Sequence, residues 1–244
     1  EDLLIGSDIE CGTVRFDAGT MHRFAIFFDP QPFHLKKLGT HSPLFEAVSA
    51  SGLHVAAATS ACVLNGTLGG MACLGSPGAL ELRMHRPVYA NTTLRVVQRF
   101  TDSKVTEDRP GVAWVTDLRQ AFATDGSLIM SSREVTWIAS RRLDPSMVVD
   151  KRPADAAGHK TMMTDRLRID GEANLPAPGE VLSFECLSPG ASFLSEWHQA
   201  EEAQVGWFQS NFDGVSGSGG WPLQRDLANR WITPALMTRI MVDS

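Results

Sequence analysis

Gly52-Leu53-His54-Val55-Ala56-Ala57-Ala58-Thr59-Ser60-Ala61-Cys62-Val63-Leu64-Asn65, closed by Gly66, decides how this chain folds. The spacing predicts a helix with apolar side chains on every face, and Asp, Glu, Lys and Arg are absent from it. Such a helix must be buried on all sides. The residues that follow supply its surroundings. Strand signals run over 79–88, 92–101, 111–123 and 128–139. Leu80, Leu82 and Met84 alternate with Glu81, Arg83 and His85, the period of a half-buried strand. Residues 102–110 and 124–127 read as loops, the second holding an Asp125-Gly126 turn. An antiparallel sheet wrapped around one buried helix satisfies both patterns, so the expected class is α+β.

Upstream, 13–17 reads as a short strand. Residues 20–28 then place Met21, Phe24, Ala25 and Phe28 at helical spacing. Pro30 and Pro32 stop that helix, because neither supplies an N–H and each restricts the residue before it. Downstream of about residue 142 the pattern breaks down. Asp144-Pro145, Lys151-Arg152-Pro153 and 154–158 look like a linker, and one helix candidate, 192–204, stands out beyond it. The expected organisation is a domain over 1–142, a linker over 143–160 and a C-terminal extension over 161–244.

The bulk numbers fit one large domain or two small ones. Of 244 residues, 43% are hydrophobic and 20% charged, enough to bury a core. A net charge of −6 gives no reason to expect nucleic acid or an anionic membrane surface as partner. Cys11, Cys62, Cys73 and Cys186 are too widely spaced for a disulfide framework and read as free thiols. No apolar run approaches the roughly 20 residues of a membrane span. Glu1-Asp2-Leu3-Leu4 does not read as a signal peptide, and a cytoplasmic protein is expected.

Between the two helices lies Asp29-Pro30-Gln31-Pro32-Phe33-His34, followed by Ala50-Ser51-Gly52 at the start of the apolar helix. A carboxylate and an imidazole five residues apart are equipment for adding or removing water, since histidine titrates nearest neutrality. The free N–H groups and dipole of a helix N-terminus can hold a developing oxyanion. Taken alone, Asp-x-x-x-x-His is weak, and a loop aspartate capping a turn is its ordinary reading.

Phe24 to His34, together with Ser42-Pro43-Leu44-Phe45, Ala50 to His54 and Arg86-Pro87-Val88, resembles the MaoC-like dehydratases. These are hotdog-fold proteins that include the (R)-specific enoyl-CoA hydratases. The resemblance covers residues 2–140. It implies that Asp29 and His34 hold one water between them and add it to a trans-2-enoyl thioester, giving the (R)-3-hydroxyacyl thioester. Asp29 would act as base, and His34 would pass a proton to the α-carbon. Gly52 would bind the thioester oxygen through its backbone N–H. Phe33, Ser51 and Ser60 are the expected substrate-binding positions. No metal or redox cofactor is implied, coenzyme A or acyl carrier protein enters with the substrate, and the expected unit is a homodimer or larger.

The chain departs from the family pattern at Gln31, where asparagine is common, and at Ser51, where histidine often stands. It departs again at Asn91-Thr92, in place of a Gly-Asp turn, and at Lys36-Lys37. A hotdog thioesterase is the first alternative, disfavoured because the central helix carries no Asp or Glu and Glu46 lies before it. A non-catalytic protein that binds acyl thioesters is the second. His54 reads as structural. The pairing of His198 with Glu201 and Glu202 reads as a solvated helix face, and 216–220 as a flexible turn. Lys36, Lys37, Arg83, Arg86, Arg141 and Arg142 are candidates for meeting coenzyme A phosphates.

Overall fold

The structure, a computed structural model, describes residues 3–35, 45–106, 110–140, 200–212 and 232–243. These belong to one compact unit, Glu1–Pro145 together with His198–Asp243. The expected linker, Cys186, His198, Ser42 to Leu44, Lys36, Lys37, Arg141, Arg142 and 216–220 lie outside the described residues.

Five antiparallel strands form one sheet in the order β1-β3-β4-β5-β2. They are β1 (Asp8–Phe16), β2 (Cys73–Met84), β3 (Thr92–Val105), β4 (Val112–Phe122) and β5 (Leu128–Ala139). Against the sheet lies α2 (Gly52–Gly66), in which every residue from His54 to Ala61 is buried, with Val63 and Leu64. The all-apolar helix is thus enclosed as its sequence requires. β1 passes so close to its end that a Cβ on Gly66 would stand 2.7 Å from the Cys11 carbonyl oxygen, which leaves room only for glycine.

α1 (Ala18–Phe28) begins at Asp17, whose carboxylate accepts from the Thr20 N–H at 2.9 Å. Its buried face is Met21, Phe24, Ala25 and Phe28, the stripe that the sequence shows. Each large apolar side chain buried here contributes about 1.5–3 kcal/mol.

Several boundaries differ from the sequence reading. β1 begins at Asp8 rather than at residue 13, with a register shift between Glu10 and Gly12. β2 runs over 73–84 rather than 79–88. Its first half, Cys73-Leu74-Gly75-Ser76-Pro77-Gly78, has loop composition, yet it pairs with β5 through repeated register shifts. The alternation in β2 does not bury its apolar face: Leu80 is 65% and Met84 41% exposed. β3 continues to Val105, into the expected loop. The 124–127 turn is present, closed by Ala123 N–H donating to the Ser127 carbonyl.

Among the described residues the unit also holds two C-terminal helices, α3 (Glu202–Phe212) and α4 (Ile232–Asp243). Of the helix expected over 192–204, residues 202–204 are helical, and 192–199 fall outside the described residues. Gln204, Phe208 and Phe212, at i, i+4 and i+8, are the buried stripe of α3. Phe208, Phe212 and Ala235 share a core with Phe24, Phe28 and Val55. Among the described residues no helix is long and apolar enough to cross a membrane.

Candidate functional site

Asp29 is the C-cap of α1, its N–H donating to the Ala25 carbonyl at 3.0 Å. The two prolines end the helix, and the chain then turns back on itself. The N–H groups of His34 and Leu35 both donate to the Gln31 carbonyl, at 2.9 and 3.2 Å. That turn returns His34 to the end of α1, where its Nε2 lies 3.3 Å from Asp29 Oδ2. The five-residue spacing is therefore a closed loop with the two side chains converging, and Asp29 and His34 are 4% and 6% exposed.

His34 Nδ1 lies 2.8 Å from the Ser49 carbonyl oxygen. A carbonyl only accepts, so Nδ1 carries the hydrogen. Nε2 is then the ring nitrogen that faces the Asp29 carboxylate. The other carboxylate oxygen, Oδ1, accepts from Gln31 Nε2 at 2.7 Å. Burial raises the Asp29 carboxyl pKa, but hydrogen bonds from His34, Ser51 and Gln31, with the charge of His34, outweigh it and leave it below the usual value.

Ser51 joins this pair to α2. It is the helix N-cap, its hydroxyl accepting from the Leu53 N–H at 3.3 Å while also bonding Asp29. Gly52 is the first helical residue, whose N–H has no acceptor within the helix. Its backbone is helical, so glycine is not required there for its conformation. A Cβ there would stand 3.3 Å from Met84 Cγ. The approach to the helix is fixed by Ala50 N–H donating to the Val88 carbonyl at 2.8 Å and Ser49 N–H to the Phe33 carbonyl at 3.2 Å. Ser49 also bridges Tyr89. The Phe33 ring lies against His34, with centroids 4.5 Å apart, and against Phe45 at 5.3 Å. Asp29, His34, Ser51, Gly52 and Phe33 are thus brought together.

Ser60 lies further along α2. It is eight residues beyond Gly52, about 12 Å further along the helix. Its hydroxyl accepts from Arg119 Nη1 at 3.1 Å and donates to Glu134 Oε1 at 3.4 Å. Arg119 also lies 2.6 Å from Asp117 Oδ2 and 2.7 Å from Glu134 Oε2, and all three side chains are buried. Gln98 Nε2 donates to Asp117 at 2.9 Å, and Ser132 to Glu134 at 3.0 Å. This polar belt crosses β3, β4 and β5 beneath α2, and one apolar cluster lies around Phe24 and Met130, a second around Val96 and Phe100. The sequence reading missed it. The available signal is parity, since Asp117 and Arg119 share the strand face of buried Val115 and Ala121.

His54 is buried among Phe16, Phe24 and Phe212, stacked on Phe24 at 4.8 Å. Burial pushes its pKa down to about 3, so the ring is neutral. Among the described residues Cys11, Cys62 and Cys73 are free thiols, and burial pushes Cys62 and Cys73 up to about 11 and 12. Asn91, where the resemblance expects glycine, has φ +67, a conformation that asparagine tolerates. Cavities of about 740 and 550 Å³ lie along β1, α1, α2 and α3, and neither Asp29 nor His34 lines them.

No protein-family model matches the sequence, and no curated protein matches it. Solved structures do match. The MaoC-like dehydratase from Rhodospirillum rubrum is 28% identical over 58% of this chain and 97% of that one, with a TM-score of 0.52. A conserved hypothetical protein from Mycobacterium tuberculosis with a double hotdog fold matches 98% of this chain and 76% of that one. Its identity is 14% and its TM-score 0.58, a likeness of fold. The chain has the hotdog fold, and the structural match supports the MaoC-like family.

Proposed function

We propose that this chain catalyses the reversible hydration of a trans-2-enoyl thioester to the (R)-3-hydroxyacyl thioester. The observation that carries the reading is the Asp29–His34 pair, tied through the Ser51 hydroxyl to the N-terminus of α2. The likeness to a MaoC-like dehydratase supports the same kind of chemistry.

The thioester oxygen accepts from the Gly52 N–H, and one water is bonded by both Asp29 and His34 beside their contact. Asp29 removes a proton from the water as its oxygen bonds to C3. The C2–C3 π electrons pass onto the thioester oxygen, where the Gly52 N–H and the helix dipole stabilise the enolate. The enolate then takes the proton of His34 Nε2 at C2, on the face that the water attacked. Asp29 returns its proton to Nε2, and the pair is restored. Every proton is carried by groups of the chain, so the reaction as written calls for no metal or redox cofactor. Coenzyme A or acyl carrier protein enters as the substrate's carrier.

The proposed unit is a cytoplasmic homodimer or larger. Among the described residues β2 is an edge strand with exposed Leu80, an arrangement that favours pairing. The test is purified protein with crotonyl-CoA, following loss of the enoyl thioester absorbance and the configuration of the product. Release of free thiol without hydration would instead favour a thioesterase. Binding without turnover would favour a non-catalytic acyl-thioester protein.

A further inference from the structure

Met84 ends β2 beside the first turn of α2. Its Cγ, Sδ and Cε lie 3.3, 3.7 and 3.9 Å from the place a Cβ on Gly52 would occupy. The side chain thus fills the space that the glycine leaves open. The backbone around it is anchored, because His85 N–H donates to the Ile129 carbonyl at 2.8 Å and Ala50 N–H to that of Val88. The side chain itself is 41% exposed, and a methionine has three rotatable bonds. The result is a soft apolar wall on a fixed strand end, touching the residue proposed to hold the thioester oxygen.

We propose that Met84 is a specificity-determining residue that restricts substitution at C2 of the acyl group. The inference rests on the oxyanion role given to Gly52 above. A carbonyl carbon held there bears only two other atoms, sulfur and C2. The sulfur arm is the same in every thioester of one carrier. A wall beside that carbon therefore meets the acyl group first at C2. One methyl group in an apolar site changes selectivity by about 10- to 200-fold.

The test compares crotonyl-CoA with 2-methylcrotonyl-CoA in the wild type, Met84→Ala and Met84→Phe. Met84→Ala is expected to raise the branched-to-linear ratio of kcat/KM at least about tenfold, and Met84→Phe to lower it. A ratio within twofold of wild type in both variants overturns the inference and leaves the hydration reading standing. If no form hydrates either thioester, the hydration reading falls. Calorimetric binding of butyryl-CoA and 2-methylbutyryl-CoA then decides the inference by the same ratio of affinities. Failure of the wild type and both variants to bind either thioester overturns both.

Discussion

Nε2 of His34 stands 3.3 Å from Oδ2 of Asp29, and the same carboxylate bonds the hydroxyl of Ser51, the residue that caps α2. An acid/base pair and a helix N-terminus from separate parts of the sequence are thereby held as one unit. Oδ1 is occupied by Gln31, so three donors converge on one buried carboxylate. Each of these contacts has a consequence that can be measured.

Gln31 helps hold the Asp29 carboxyl below its usual pKa. A carboxyl depressed by folding contributes stability that is present above its unfolded value and lost as pH falls through the folded one. Gln31→Leu removes one donor and moves the Asp29 pKa upward. The acid limb of the kcat/KM profile for crotonyl-CoA then moves to higher pH, while the rate on the alkaline side changes less. An unmoved acid limb would mean that Asp29 is not the titrating base.

His54 gives the fold its own pH dependence. Its pKa is pushed down to about 3 from 6.5, so between these values the unfolded chain binds a proton that the folded one does not. Stability is complete above about 6.5 and falls with pH below it, by at most about 1.4 kcal/mol per unit. Urea unfolding at pH 7 and pH 5 should show a loss of about 2 kcal/mol from this residue. His54→Phe, which can keep the stacking on Phe24, should remove that part of the slope.

Gly52→Pro tests the oxyanion donor directly. Proline is accepted at the first position of a helix, and Ser51, at φ −58 and ψ 139, already has the conformation favoured before proline. Combined with Met84→Ala to relieve the 3.3 Å approach, the variant should fold with the ring Cδ in place of the N–H hydrogen. The expected loss in kcat is about 10²- to 10³-fold, against the Met84→Ala parent. Equal rates would show that the oxygen is held elsewhere.

The belt beneath α2 makes a stability prediction. Arg119→Met strands Asp117 and Glu134 in the core, where breaking a buried ion pair costs about 3–5 kcal/mol. Replacing Asp117, Arg119 and Glu134 together by Leu, Met and Leu should recover most of that loss. Urea midpoints for the single and triple variants check it. A single variant as stable as wild type would mean that the belt is solvated rather than buried.

The helix Gly52–Gly66 and most of the sheet were legible because burial imposes a composition that a sequence displays. The meeting of Asp29 and His34 was legible because the prolines fix the turn between them, and Ser51 because it caps a helix. The opening of β2 was hidden by Gly75, Ser76, Pro77 and Gly78, whose loop composition is overridden by pairing with β5. Ser60 was read as a site residue because its spacing from Gly52 fits the family pattern. Two partners the structure gives it, Arg119 and Glu134, are distant in sequence and could not be read from it. The belt itself shows only as charges at core-facing strand positions, a weak signal in one sequence. α3 is less legible, because Gly206 and the polar residues around it dilute the buried stripe of Gln204, Phe208 and Phe212.

The most direct test is the initial rate of crotonyl-CoA hydration by the wild type, Asp29→Asn and His34→Ala, with thermal unfolding of each. The pair as described predicts hydration by the wild type and a loss of about 10²- to 10⁴-fold in each variant with folding retained. Hydration that survives both substitutions at the wild-type rate would contradict it.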